Sequence, residues 1–246
     1  MITRHHLFLT LLYSCILCCA FFPVDLVWSG LFILGAEMGA VLPDIQIKKP
    51  SRARSFRFAY YVTRFSERIC IPVLCSVYRI FLPFSPDKKD KRLTHSFPGI
   101  TGIFFSIAIL LIIPVRIVAG TGMDLFIVWL LAGLALGLLL HLSMDLCTRK
   151  GIFPFFPFSP CQIKGSIRPC DTRDHRIGYF HLLPGIFLGC MILLILHSSG
   201  TDGLIYPAGI TGFITSIGIM VFFSGIQFAA NQTPCDSAPA DQPVAG

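Results

Sequence analysis

Six apolar stretches constrain the fold of this chain more than any other feature of its sequence. They cover residues 7–22, 26–42, 97–117, 125–142, 177–196 and 204–228. As helices rising about 1.5 Å per residue, the first two reach only about 25 Å and barely span a bilayer, whereas the other four are long enough. A helix satisfies all of its backbone polar groups inside lipid without a partner strand. The pattern therefore predicts six transmembrane helices.

Lysine and arginine residues are distributed unevenly around these stretches. Of the 20 basic residues, Arg4 precedes the first stretch, twelve lie within 45–94 and six within 149–176. Only Arg116 falls on the other side of a six-helix arrangement. Because cytoplasmic loops carry the excess of lysine and arginine, this distribution predicts that both termini are cytoplasmic.

The composition fits an all-α, polytopic membrane helical bundle. Only 13% of the residues are charged, against about a quarter in soluble domains. We expect one membrane-embedded domain over 1–228, with interfacial helices in segment 51–83, where arginines alternate with aromatic and aliphatic residues. The tail 229–246 is polar, rich in proline and alanine, and predicted to be disordered.

The charge pattern also indicates the partners of the chain. The lipid bilayer is the first, and the basic segment fits contacts with anionic lipid headgroups. No nucleic-acid motif accompanies the positive charge, so we exclude a nucleic acid. A competing interpretation concerns residues 1–20, whose basic start and small residues near Ala20 resemble a signal peptide. Cleavage there would remove His5 without changing the topology of the rest.

Polar residues collect where the predicted helices end on the cytoplasmic side. Tracing the chain across the membrane places His5, Asp44, His95, His141 and Asp145 at one depth on one face. His141 and Asp145 lie four residues apart, on one helix face, and two ligands at that spacing can bind one metal ion. The ordinary alternatives are an interfacial polar role for His141 and a turn or cap role for Asp44.

Glu37 is the one carboxylate deep inside a predicted helix. It lies seven residues before Asp44, hence two turns away on the same face. An ionisable residue inside a span is a functional candidate, because burying it without a partner costs several kcal/mol.

Three stretches, in order, resemble a known family. They are VLPDI at 41–45, KRLTHS at 91–96 and HLSMDLCTRKGIFPFFPFS at 141–159. Together they resemble the YdjM-like family of inner-membrane proteins, which carries the name of membrane-bound metal-dependent hydrolases. That family has an early histidine, a Leu-Pro-Asp-Ile-Asp stretch, a His-Arg-Gly-x-Thr-His-Ser stretch and a His-x-x-x-Asp-x-x-Thr-x-x-Gly stretch. The resemblance covers residues 1 to about 180.

The chain departs from the family pattern at three positions that bear on the site. Gln46 replaces the second aspartate of the first motif, Asp90 replaces the first histidine of the second, and Arg92 replaces its glycine. An amide is a poorer metal ligand than a carboxylate, so Gln46 favours one ion or weak binding at that position.

The resemblance implies a metal-dependent hydrolase of the inner membrane. Mixed imidazole and carboxylate ligands suit a divalent ion such as zinc or manganese. Glu37 or Asp90 is then the candidate general base, and Arg92 the candidate group that holds an anion. A site at headgroup level suggests a phosphoester or ester of a lipid-like substrate. The implied ligands are His5, Asp44, His95, His141 and Asp145.

Two other classes of function stay open on the sequence alone. One is a transporter or channel that uses the polar cluster as an ion site, although transporters place such residues near the bilayer midplane. The other is a degenerate family member that keeps the fold without activity, as the departures at Gln46 and Asp90 allow.

Overall fold

The computed structural model describes residues 3–22, 25–47, 66–81, 90–169, 171, 173–197 and 202–229. Six of the helices in this part of the chain are long and apolar enough to cross a membrane. The predicted all-α, polytopic helical bundle is therefore confirmed. The α-helices are Thr3–Phe21 (α1), Leu26–Val41 (α2), Ile71–Phe81 (α3), Phe97–Ala119 (α4), Asp124–Leu146 (α5), Arg176–His197 (α6) and Asp202–Phe223 (α7).

Side-chain caps define where α2 and α4 begin. Asp25 accepts hydrogen bonds from the backbone of Val27 and Trp28 at 3.0 and 3.2 Å. Ser96 accepts one from the backbone of Gly99 at 3.1 Å. Each cap satisfies a backbone donor that the helix leaves without an intrahelical partner.

Two segments of 3₁₀-helix carry the chain into and out of the region where the polar residues meet. Leu42–Ile47 extends α2 and contains Asp44. Lys91–Leu93 precedes α4, and His95 follows it. These short segments place Asp44 and His95 at the ends of helices rather than within their interiors.

Helices α2 and α5 pack with their backbones in close contact. A methyl group added at Gly39 would collide with the carbonyl of Leu134, and one added at Gly137 would collide with the carbonyl of Ala36. Small residues allow this close approach in membranes, where packing rather than the hydrophobic effect holds helices together. The contact fixes the end of α2 against the end of α5, where Asp44 and His141 lie.

Helix α3 is too short to span a bilayer and packs against α4. Its buried residues Ile71, Leu74, Cys75 and Tyr78 recur at helical spacing, while Val77 is 43% exposed. The predicted interfacial helices of segment 51–83 lie partly outside the described residues, namely at 51–65 and 82–83. An interfacial position for α3 stays a prediction.

A small sheet joins two segments outside the predicted spans. Strand β1 (Gln162–Lys164) pairs antiparallel with β2 (Gln227–Ala229), and Ile163 lies opposite Phe228. The sheet holds the segment that follows α7 against the loop that follows α5. The tail predicted to be disordered, 229–246, lies outside the described residues except for Ala229.

Candidate metal centre

Five buried imidazole and carboxylate side chains meet where α2 and α5 end and α1 and α4 begin; we call this end of the bundle the basic end. They form two overlapping groups whose possible ligand atoms lie within 4.8 Å of one another. His141 belongs to both groups. The first contains His6, Asp44 and His141, and the second contains His95, His141 and Asp145.

Three of these ligand atoms form a nearly equilateral triangle. The Nε2 atoms of His95 and His141 lie 3.4 Å apart. Asp145 Oδ2 lies 3.5 Å from His95 Nε2 and 3.4 Å from His141 Nε2. Asp44 Oδ1 approaches the same two nitrogens at 3.6 and 3.9 Å. The arrangement brings two nitrogens and two oxygens, from three helix ends, around one point.

Backbone carbonyls determine which ring nitrogen faces the cluster in both histidines. His141 Nδ1 lies 2.7 Å from the carbonyl oxygen of Ala40, and His95 Nδ1 lies 3.1 Å from that of Lys91. A carbonyl only accepts hydrogen bonds, so the 2.7 Å contact puts the hydrogen of His141 on Nδ1. Nδ1 of His95 also lies 3.1 Å from the hydroxyl of Thr94, and its contact with Lys91 fits the same tautomer. Each Nε2 therefore presents a lone pair, in the orientation by which proteins fix metal-binding histidines.

The donor set fits a small divalent ion. Two lone pairs 3.4 Å apart repel each other unless a proton or a cation lies between them. The nearby carboxylates of Asp44 and Asp145 are buried, and their charge in such a place requires compensation. In a tetrahedral zinc site with bonds of about 2.0–2.1 Å, neighbouring ligand atoms lie about 3.3–3.4 Å apart. The triangle matches that spacing.

His6 occupies the position where the sequence predicts His5. The His6 ring is fully buried and stacks on His141, with centroids 4.2 Å apart, and its Nε2 lies 3.2 Å from Asp145 Oδ1. His5 points elsewhere and stacks on His181 at 5.1 Å. Consecutive helical residues differ by about 100° in direction, so only one of the two histidines can face the cluster.

The polar face of α1 carries the signal that identifies His6. Thr10, Tyr13 and Ser14 are fully buried and lie four, seven and eight residues after His6, on its side of the helix. Polar residues of a transmembrane helix face the protein interior. His5 lies off this face, so the rotation of α1 is readable from these three residues.

Glu37 lies two turns from Asp44 along α2 and belongs to neither metal-binding group of the described residues. Its Oε1 atom is buried and has no hydrogen-bond partner within the described parts of the chain. At about 1.5 Å per residue, seven residues separate it from Asp44 by about 10 Å along the helix. A general-base role for Glu37 thus has no contact with the cluster to support it.

Asp90 and Arg92 pair with each other. The carboxylate of Asp90 caps the following 3₁₀-helix and accepts hydrogen bonds from Arg92 Nε at 3.0 and 3.1 Å. The guanidinium of Arg92 also lies 5.1 Å from the ring of Phe156 and 5.6 Å from that of Phe153. Asp90 belongs to neither metal-binding group among the described residues. The side chain of Gln46 is not described.

Three of the five clustered side chains reach the surface, and two do not. The side chains of Asp44, His95 and Asp145 are 10–12% exposed, whereas those of His6 and His141 are inaccessible. Several basic residues also lie at this end of the bundle. Arg92 is half-exposed, and Arg4, Lys91, Arg149 and Lys150 are exposed.

These features define a multi-pass membrane protein with a buried histidine and aspartate cluster at one end of its helical bundle. Residues 1–231 match the family described as YdjM inner membrane protein. The chain belongs to this family and is a multi-pass inner membrane protein. No curated protein and no solved structure matches it.

Proposed function

We propose that the chain is a membrane-embedded, metal-dependent hydrolase that binds zinc or manganese at the cluster. The observation that carries this proposal is the triangle of His95 Nε2, His141 Nε2 and Asp145 Oδ2, with edges of 3.4–3.5 Å. Asp44 completes the ligand set from α2. A divalent ion bound there supplies a water of lowered pKa and polarises a phosphoryl or carbonyl oxygen.

The other residues of the site orient the ligands and the substrate. Ala40 and Lys91 hold the two histidines through their carbonyl oxygens. His6 lies against the second oxygen of Asp145 and fixes how that carboxylate is turned. Partners of this kind typically change metal affinity by about 10–100-fold when they are removed.

An anion-binding group is available at the exposed edge of the cluster. Arg92, held by Asp90, and the neighbouring Lys91 are cations suited to an anionic substrate group. The basic end faces the cytoplasm, with both termini on that side, because positive charge accumulates there.

The test compares the metal content of the detergent-purified protein with that of two variants. We expect about one divalent ion per chain in the native protein, and clear loss in His141→Ala and Asp145→Ala, because each removes one corner of the triangle. His197→Ala, at the far end of α6, is the matched control and should keep the ion. Equal and negligible metal in all four proteins would contradict the proposal.

Hydrolysis is tested separately, with phosphoester and ester lipids in the presence and absence of a chelator. Loss of hydrolysis on chelation, and its recovery with zinc or manganese, supports the hydrolase. Normal metal content without hydrolysis of any of these substrates counts against it.

An ion carrier is the second candidate, and one observation favours it. Glu37 buries a carboxylate oxygen without a partner among the described residues, deep in a span, as an ion pathway requires. Ion flux into proteoliposomes that Glu37→Gln abolishes, without hydrolysis, would favour this function. Flux that is absent, with hydrolysis present, would exclude it.

A further inference from the structure

An apolar groove of about 760 Å³ lies between α3 and α4. Leu74 and Val77 line one wall and Phe105 and Ile109 line the other. Three lining residues carry a hydroxyl, namely Tyr78, Thr101 and Ser106, and that of Ser106 donates to the carbonyl of Gly102 at 2.7 Å. The other twelve lining residues have no polar side-chain atom, so the groove offers a mainly apolar surface that hydrocarbon fits.

The groove is longer than the hydrocarbon part of one membrane leaflet is thick. Its α4 wall runs from Phe97 to Leu110, which is about 20 Å at about 1.5 Å per residue. The hydrocarbon core of a bilayer is about 30 Å thick, so half of it is about 15 Å. The groove starts at the basic end and continues past the depth that an acyl chain of the same leaflet reaches.

An aromatic segment forms the mouth of the groove. Phe155 and Phe158 line it and are 52% and 66% exposed. The backbone of Phe97 donates to the carbonyl of Pro154 at 2.7 Å, and the ring of Phe97 lies 5.7 Å from that of Phe155. These contacts hold the segment at the start of α4, at the level where aromatic side chains border a bilayer.

The mouth and the cluster are neighbours along the chain. Phe97 comes two residues after His95, so their Cα atoms are at most about 7 Å apart. Lys91 and Arg92 precede His95 in the same segment, and both reach the surface. A lipid with a chain in the groove thus has its headgroup near the start of α4, in the segment that carries His95 and the two cations.

We propose that this groove binds one acyl chain of an anionic phospholipid, which enters sideways from the bilayer and presents its headgroup to the cluster. The inference rests on the proposed hydrolase function for the role of that lipid as substrate. The proposal that an acyl chain binds there rests on the groove alone. Because lipid tails surround the groove already, specificity comes from shape and from the headgroup charge rather than from the hydrophobic effect.

The binding test uses phosphatidylglycerol that carries a photoreactive diazirine in one acyl chain. The full-length protein is reconstituted into liposomes that contain this lipid. Labelled peptides are then mapped by mass spectrometry. We expect labelling to concentrate on the α3 and α4 walls. Thr101→Trp and Val77→Trp fill the groove from opposite walls and should each reduce this labelling to the level of the remaining apolar surface.

Ile113→Trp is the matched control, because Ile113 lies on α4, is 53% exposed and does not line the groove. It should leave the labelling unchanged. Labelling spread evenly over the apolar surface, or unchanged in both groove variants, would overturn the proposal. Equal labelling by phosphatidylcholine with the same photoreactive chain would show that the site has no preference for an anionic headgroup.

Metal content and hydrolysis, measured on the same proteins, separate the two proposals. The groove variants should keep their metal ion and show a raised KM for long-chain lipid, with unchanged hydrolysis of a water-soluble phosphoester. Labelling of the groove in a protein that binds metal but hydrolyses nothing contradicts the hydrolase function and supports the lipid-binding groove. If the native protein and the groove variants hydrolyse long-chain lipid with the same KM, the lipid-binding groove is contradicted and the hydrolase function is supported.

Discussion

His141 and Ala40 connect the close contact between α2 and α5 to the candidate metal centre. The 2.7 Å hydrogen bond from His141 Nδ1 to the carbonyl oxygen of Ala40 joins α5 to α2. It exists because glycines at the interface allow the two backbones to approach. The geometry of the metal ligands therefore depends on residues that touch no ligand.

The first prediction is that Gly137→Ala weakens both the fold and metal binding. The added methyl group collides with the carbonyl of Ala36, so α2 and α5 must separate and the hydrogen bond of His141 must lengthen. Overpacking of this kind costs about 1–3 kcal/mol. Thermal unfolding in detergent and zinc titration measure the two effects.

Gly189→Ala is the matched control for Gly137→Ala. Gly189 lies in α6, and nothing is found within 4 Å of a methyl group added there. This variant should have the same unfolding temperature as the native protein or a slightly higher one, since alanine is the better helix former. Equal behaviour of the two variants would show that the α2–α5 contact does not position the ligands.

A second prediction separates the adjacent histidines of α1. His6→Ala removes the side chain that stacks on His141 and lies 3.2 Å from Asp145, so metal affinity should fall by about 10–100-fold. His5→Ala removes a ring that contacts His181 instead and should leave metal affinity unchanged. Zinc affinity measured by competition with a chromogenic chelator tests both variants, and the opposite ranking would contradict the cluster.

The six helices and four of the five clustered residues follow from the sequence by simple physics. Apolar length predicts the spans, and the distribution of lysine and arginine places the helix ends that carry Asp44, His95, His141 and Asp145 on one side. No knowledge of packing is needed for this step, because a transmembrane helix has only two ends.

Rotation about a helix axis is harder to predict, and it decides between His5 and His6. In a helix that is apolar all round, hydrophobic periodicity gives no direction. Only the few polar residues, such as Thr10 and Ser14, mark the buried face. The pairing of Asp90 with Arg92 is also difficult to predict. A sequence does not show whether a charged side chain is paired with a neighbour or free to react.

The short sheet and the groove depend on contacts between segments distant in the chain. Ile163 pairs across to Phe228, and three-residue strands carry too little pattern to be detected. The groove arises from the angle between α3 and α4, which the sequence does not specify. Its aromatic mouth at 153–158 is visible in the sequence, but its position over the start of α4 is not.

A third prediction concerns metal removal. An ion that binds only the folded protein stabilises it by RT ln(1 + [L]/Kd), which is about 2.7 kcal/mol at 100 times Kd. We therefore expect a chelator to lower the unfolding temperature of the native protein, and added zinc or manganese to restore it. Asp145→Ala, already without one corner of the triangle, should show no shift with either treatment. A chelator shift of equal size in that variant would place the stabilising ion elsewhere.

The last prediction concerns pH and the start of α6. Arg176 donates to both oxygens of Asp174 at 2.8 Å, and this pairing lowers the pKa of the Asp174 carboxyl to about 2. The same guanidinium donates to Ser166 Oγ at 2.7 Å, so the pair anchors α6 to the loop after α5. An aspartate titrates at about 3.9 in an unfolded chain.

A carboxyl whose pKa is lower in the folded state stabilises the protein above its unfolded pKa. That stabilisation is lost as the pH falls from about 4 towards 2. Asp174→Asn should therefore cost about 1 kcal/mol at pH 7 after solvent screening, and the difference from the native protein should vanish near pH 2. The histidine cluster titrates in both proteins, so its effect cancels when their free energies of unfolding are compared at the same pH. Asp171→Asn is the control and should change little, because the nearest arginine side-chain nitrogen lies 4.0 Å from Asp171 and an asparagine oxygen can still accept the hydrogen bond from the backbone of Arg173. A difference at pH 7 that persists at pH 2 would mean that the aspartate acts through packing rather than charge.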